Sequence, residues 1–111
     1  MAYDRDLANR LREQLAGEDA VSEKAMFGGL AFLVGGHMAV AASGHGGVLV
    51  RIDPEQSADA LARAHTAPMV MRGRSMAGWV RVAPEGVRTA RQLAPWVRRG
   101  VGYARSLPPK R

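Results

Sequence analysis

Three histidines, His37, His45 and His65, have the widest chemical range in this 111-residue chain, followed by Ser75 and the arginines on either side of Gly73. Imidazole ligates metals and moves protons near neutral pH. His37 and His45 flank one expected hairpin, but the chain has no cysteine, and no aspartate or glutamate stands near either histidine. No zinc-type ligand set is assembled, and no metal is expected. Each histidine reads instead as a turn residue, with His65 at a helix C-terminus, where its charge suits the dipole. Ser75 lacks both a local base and the strand-turn-helix elbow that exposes a nucleophilic hydroxyl. No catalytic residue and no cofactor are expected.

Arg72 and Arg74 bracket a glycine, and two guanidinium groups so placed suit a carboxylate or a phosphate. The competing reading is a pair of exposed loop charges. Two glycine-punctuated stretches, Lys24-Ala25-Met26-Phe27-Gly28-Gly29 and Met71-Arg72-Gly73-Arg74-Ser75-Met76-Ala77-Gly78-Trp79, each lead into a hydrophobic run. Neither matches a nucleotide-binding fingerprint, and neither is followed directly by a helix whose N-terminus would hold an anion.

Residues 72–111 hold ten basic residues against the single acid Glu85, a balance of +9, while the first 71 residues carry −3, for +6 overall. Such asymmetry steers acidic proteins, nucleic acids or small anions toward one side. The length suits one domain spanning 1–111, with 108–111 as a frayed basic tail. No apolar run approaches the length of a membrane span, and the N-terminus lacks the basic and apolar regions of a signal peptide. A cytoplasmic protein with no membrane partner is expected.

The elements that would position these residues follow from periodicity. Asp4 is a good N-cap, and Leu7, Leu11 and Leu15 line one face of a helix over residues 4–16 that ends at Gly17. Leu30 to Val34, His37 to Ala42 and Val48 to Ile52 read as an antiparallel meander, with glycine pairs supplying the positive φ of tight turns. Gly28-Gly29 marks a bulge or a close backbone approach. Asp53 and Pro54 start a second helix over residues 54–65, with Ala58, Leu61, Ala62 and His65 on one face and Gln56 placed as a capping-box partner. Met69 to Arg72 and Trp79 to Ala83 read as two strands joined by a loop. A last helix is expected to begin near Ala94, with Pro95 in its first turn and Leu93, Val97, Val101 and Ala104 buried.

The fold class is therefore α+β, an antiparallel five-stranded sheet with helices packed mainly on one face, in the order α-β-β-β-α-β-β-α. If the two hairpins pair in register, Leu49, Arg51, Trp79 and Arg81 share the less covered face and form an apolar, cationic patch. Trp96 is expected to pack against the sheet, and Trp79 to be the more exposed of the two tryptophans. Candidate partner or anion contacts are Arg51, Arg72, Arg74, Trp79 and Arg81. Arg91, Arg98 and Arg105 recur every seven residues along the last helix, and with Arg88 and Arg99 they make an alternative nucleic-acid surface, although no base-reading motif accompanies them.

Read together, Lys24, Met26, Phe27, Gly28, Gly29 and Phe32, the Met38 and Arg51-Ile52-Asp53-Pro54 neighbourhoods, Arg72 through Val80, and Trp96-Val97 through Ala104-Arg105-Ser106-Leu107-Pro108-Pro109-Lys110 resemble the N-terminal domain of the TfoX (Sxy) family of competence regulators. The resemblance covers nearly the whole chain, with Ser75 where the family commonly has proline. It implies an α+β fold and a role in transcriptional regulation through contact with other proteins. Family members that regulate competence carry a second, helical C-terminal domain, and the expectation here is the stand-alone type. The reading is a non-enzymatic regulatory domain with a protein partner, expected as a homodimer. The alternative is a nucleic-acid-binding accessory protein using the C-terminal arginines.

Overall fold

The Asp4 carboxylate accepts from the backbone N–H groups of Asp6 (2.9 Å) and Leu7 (3.2 Å), two of the donors that every helix start leaves free. In this computed structural model, which describes residues 3–26 and 28–108, that cap opens α1 (Arg5–Gln14). Leu7, Ala8, Leu11 and Leu15 are buried on one side of it, as their spacing requires. Six strands follow: β1 (Val21–Met26), β2 (Gly29–Val34), β3 (His37–Ala42), β4 (Val48–Arg51), β5 (Thr66–Met71) and β6 (Arg74–Val82). They form one antiparallel sheet in the order β1-β2-β3-β4-β6-β5.

The α+β architecture stands, but the sheet has six strands where the sequence reading has five. The additional strand is β1, an edge strand whose middle residues are all exposed, so apolar and polar positions do not alternate to mark it. Arg12 of α1 holds it down with two hydrogen bonds to Glu23, at 2.7 and 2.8 Å. Gly28 turns the β1–β2 hairpin at φ +75°, and a Cβ on Gly29 would lie 2.1 Å from the Ala42 carbonyl oxygen. The glycine pair is thus a turn followed by a close backbone approach. Phe27 lies outside the described residues, as do Pro109, Lys110 and Arg111 of the expected tail.

A second correction concerns residues 72–79, which are not a loop. Arg72 and Gly73, at φ +53° and +78°, make a two-residue turn, and β6 begins at once with Arg74 opposite Met71. Such a turn matches the natural twist of a hairpin, at the cost of left-handed backbone at an arginine.

The second helix is shorter than expected. Asp53 caps a 3₁₀ turn, Pro54–Gln56, through the Glu55 N–H, and α2 is only Ser57–Leu61. Gln56 makes no capping-box contact there. Its buried residue is Ala60, with Leu61 half-buried, whereas Ala58, Ala62 and His65 of the expected face are exposed. Small alanines give periodicity little discriminating power.

The last helix, α3 (Ala90–Ser106), starts four residues before Ala94, because Thr89 and Gln92 form a reciprocal capping box that satisfies the start of the helix earlier. Pro95 then lies inside it, beyond the first turn. The proline forfeits one backbone bond, which is offset by burial of Leu93, Trp96, Val97, Val101 and Ala104.

All three helices pack on the sheet face carrying Phe32, Val34, Val40, Val48, Val50, Val80 and Val82. Gly100 is where α3 comes closest: a Cβ there would sit 2.4 Å from the Ala39 carbonyl oxygen. The opposite face carries Ala31, Met38, Ala41, Leu49 and Met69, all buried, with Met26, Leu33 and Trp79 packed beside them. Leu49 is therefore not part of an open apolar patch.

Candidate functional site

Strand register brings three of the five candidate contact residues together. Leu49 pairs with Arg81 and Arg51 with Trp79 across β4 and β6, so Arg51, Trp79 and Arg81 share the helix-free face. Gly78 sets the approach to Trp79 in left-handed backbone at φ +84°. Its N–H donates to Ser57 Oγ (2.7 Å), and its carbonyl accepts from the Ile52 N–H (2.8 Å). A Cβ on Gly78 would lie 2.9 Å from the Ile52 carbonyl oxygen. The Arg51 guanidinium lies 5.4 Å from the Trp79 ring and 5.4 Å from the Tyr103 ring of α3, a double cation–π arrangement. Arg81 donates from Nη1 to Ser43 Oγ at 3.2 Å, and the same hydroxyl accepts from the His45 N–H at 3.1 Å.

Arg72 and Arg74 stand elsewhere, exposed at the tip of the β5–β6 hairpin. Arg74 and Trp79 are five residues apart on one strand, about 16 Å at the rise of extended chain. The five residues thus form two surfaces. Around the tip, Val70 (54% exposed), Met71 (39%) and Met76 (37%) present apolar side chains to solvent. β5 is the last strand of the sheet and pairs only with β6. Pro68 lies within it, where a missing N–H is tolerated at an edge, and the register shifts between Pro68 and Val70.

The arginine stripe on α3 is divided by ion pairing. Arg105 donates to Glu18 at 2.7 Å and to the Asp19 carbonyl at 3.1 Å, while Arg99 pairs with Asp59 and lies over the Trp96 ring. The Arg99 hydrogen bond holds the Asp59 carboxyl below its ordinary value, and Arg12 does the same to Glu23. Arg88, Arg91 and Arg98 are exposed, and none of the ion pairs among the described residues engages them.

The histidines separate. His37 shares a hydrogen bond with the Pro108 carbonyl, while His45 and His65 line one shallow cleft with Arg81 and Pro84. His65 does not end a helix. It lies four residues beyond α2 at φ +65°, its carbonyl accepting from the Ala83 N–H at 2.8 Å. Among the described residues, no group of three or more His, Asp or Glu is placed to hold a metal ion. Ser75 is exposed in β6, opposite Val70. Trp96 is buried, and Trp79 is the more exposed of the two, in the expected order.

One cleft was not anticipated. It has a volume of about 270 Å³ and lies between the α2–β5 connection and the first half of α3, with Arg63, His65, Gln92, Pro95, Trp96 and Arg99 in its wall. Residues 63–65 and 92–99 are distant in sequence and share no local pattern. The available signals, His65 and Arg99, read as a helix end and as part of a surface stripe.

A comparison with protein-family models matches residues 13–104 to the TfoX N-terminal domain. No curated protein and no solved structure matches the chain significantly.

Proposed function

Because the chain belongs to the TfoX N-terminal domain family, we propose that it is a cytoplasmic regulatory domain, without bond chemistry of its own, that acts by binding another protein through the β5–β6 hairpin. The observation that carries this reading is the hairpin tip: Val70 and Met71 on the edge strand β5 and Met76 on β6 are exposed beside Arg72 and Arg74. Exposed methionines adapt to varied apolar surfaces, and the two arginines favour a partner with acidic residues around an apolar centre. Arg51, Trp79 and Arg81 extend the same strand system toward the body of the domain and are the second contact region. No helix among the described residues is long and apolar enough to cross a membrane.

The test is affinity capture from the native host with the wild-type domain and with a Val70→Ser, Met76→Ser, Arg72→Glu variant. All three positions are exposed, so the variant keeps its fold. Partners enriched by the wild type and lost from the variant support the reading, and unchanged partners refute it. Sedimentation velocity on the same two proteins shows whether the partner is a second copy, as in a homodimer.

A further inference from the structure

We infer that the cleft between the α2–β5 connection and α3 is a binding site for a small carboxylate with a compact apolar body. Its wall gathers two guanidinium groups, Arg63 and Arg99, one imidazole, His65, and the apolar surfaces of Ala64, Pro95 and Trp96. Asp59 sits beside both arginines, 2.5 Å from Arg99 Nη2 and 4.0 Å from Arg63 Nη2. Two guanidinium groups against one carboxylate leave one positive charge, which matches a monoanion.

Arg99 carries the assignment. Its Nη2 is engaged by Asp59, but its Nη1 is the buried side-chain nitrogen or oxygen atom that lacks a hydrogen-bond partner among the described residues. A guanidinium nitrogen without an acceptor costs free energy; this one is closed to solvent, so a ligand oxygen satisfies it only with a small rotation of the Arg99 side chain, which is 23% exposed and lines the cleft. Guanidinium is also the side chain best suited to carboxylate recognition.

The cleft is held open by its surroundings, so little ordering is required of a ligand. On one side, the Thr66 hydroxyl is hydrogen-bonded to the Leu61 (3.1 Å) and Arg63 (2.7 Å) carbonyls, and the Ala83 N–H fixes His65. On the other, the Gln92 amide accepts from the Arg88 and Thr89 N–H groups and donates to the Glu85 carbonyl. Gly86 closes the floor: a Cβ there would meet His65 Cβ at 3.0 Å. The volume, a little below the usual range for ligand sites, suits a ligand of roughly ten non-hydrogen atoms.

The experiment is a backbone amide NMR titration with sodium benzoate, with inorganic phosphate and sodium chloride as parallel arms at matched ionic strength. Saturable shifts at Ala64, His65, Gly86 and Arg99 with benzoate, absent with chloride, support the inference. In the exposed-site variant Arg63→Gln the dissociation constant rises about threefold, and in Arg99→Gln about tenfold or more, at constant fold. Three results overturn it: no saturable shift with benzoate, equal affinity in both variants and the wild type, or a response to phosphate alone. The hairpin variant described above binds benzoate normally, which keeps failure of this site distinct from failure of the partner surface.

Discussion

Arg51 and Trp79 face each other directly across β4 and β6, with the guanidinium 5.4 Å from the indole ring and equally far from Tyr103 of α3. One cation thereby links the helix-free sheet face to the helix layer. The pair lies at the end of β4, where the sheet passes into the Asp53 turn and α2.

Truncating that cation loosens the link. Arg51→Ala is expected to lower stability by about 1–2 kcal/mol, and Arg51→Lys by about half as much, because an ammonium lacks the planar face that stacks on rings. Urea unfolding reads the change as a lower midpoint at constant slope, and an unmoved midpoint contradicts the double contact.

Two glycines of α3 respond to alanine with opposite signs. Gly102 is exposed, and a Cβ there meets nothing within 4 Å, so Gly102→Ala gains about 0.5–1 kcal/mol of helix propensity. Gly100→Ala gains the same propensity but drives a Cβ to 2.4 Å from the Ala39 carbonyl oxygen, and a backbone atom cannot swing aside. A net loss of about 2 kcal/mol is expected, from displacement of α3. Thermal melts of the two variants should therefore move in opposite directions.

Acid stability depends in part on Glu23 and Asp59. Hydrogen bonds from Arg12 and Arg99 depress both carboxyls in the folded state. A depressed carboxyl stabilises the fold fully above its unfolded value, about 4, and that contribution disappears as pH falls through the lower folded value. Stability should rise with pH up to about 4.5, and Glu23→Gln and Asp59→Asn should each flatten that rise. Both pairs are partly exposed, so about 0.5 M salt should shrink the difference. An acid limb identical to wild type contradicts the pairing.

Binding to nucleic acid should be weak. With Arg99 and Arg105 paired to carboxylates, Arg88, Arg91 and Arg98 remain on this surface, and three phosphate contacts give a log–log salt slope no steeper than about −2.7. Fluorescence anisotropy on duplex DNA from about 50 to 200 mM salt measures it. A slope near −5, or tight binding at the upper salt, would favour the nucleic-acid alternative.

Local order was legible in the chain. Asp4 with Leu7, Leu11 and Leu15 determined α1, and the glycine pairs placed the β2–β3 and β3–β4 turns, because caps, periodicity and positive φ act within a few residues. Register put Arg51 and Trp79 on one face as alternation requires. The six-strand sheet was not legible: β1 is an edge strand held by Arg12 from another element, and its own residues carry no buried alternation. The start of α3 was settled by a capping box that outweighed the proline signal.

Tertiary structure alone decided the site chemistry. Arg99 of α3 joins the local Asp59–Arg63 pair because α2 and α3 pack over the same sheet face, and Arg99 Nη1 is buried there without an acceptor among the described residues. Composition determined a basic, cysteine-free chain, and local pattern most of its elements. Which charges were cancelled and which left open followed from contacts between residues 40 to 87 positions apart, where no short-range physics operates.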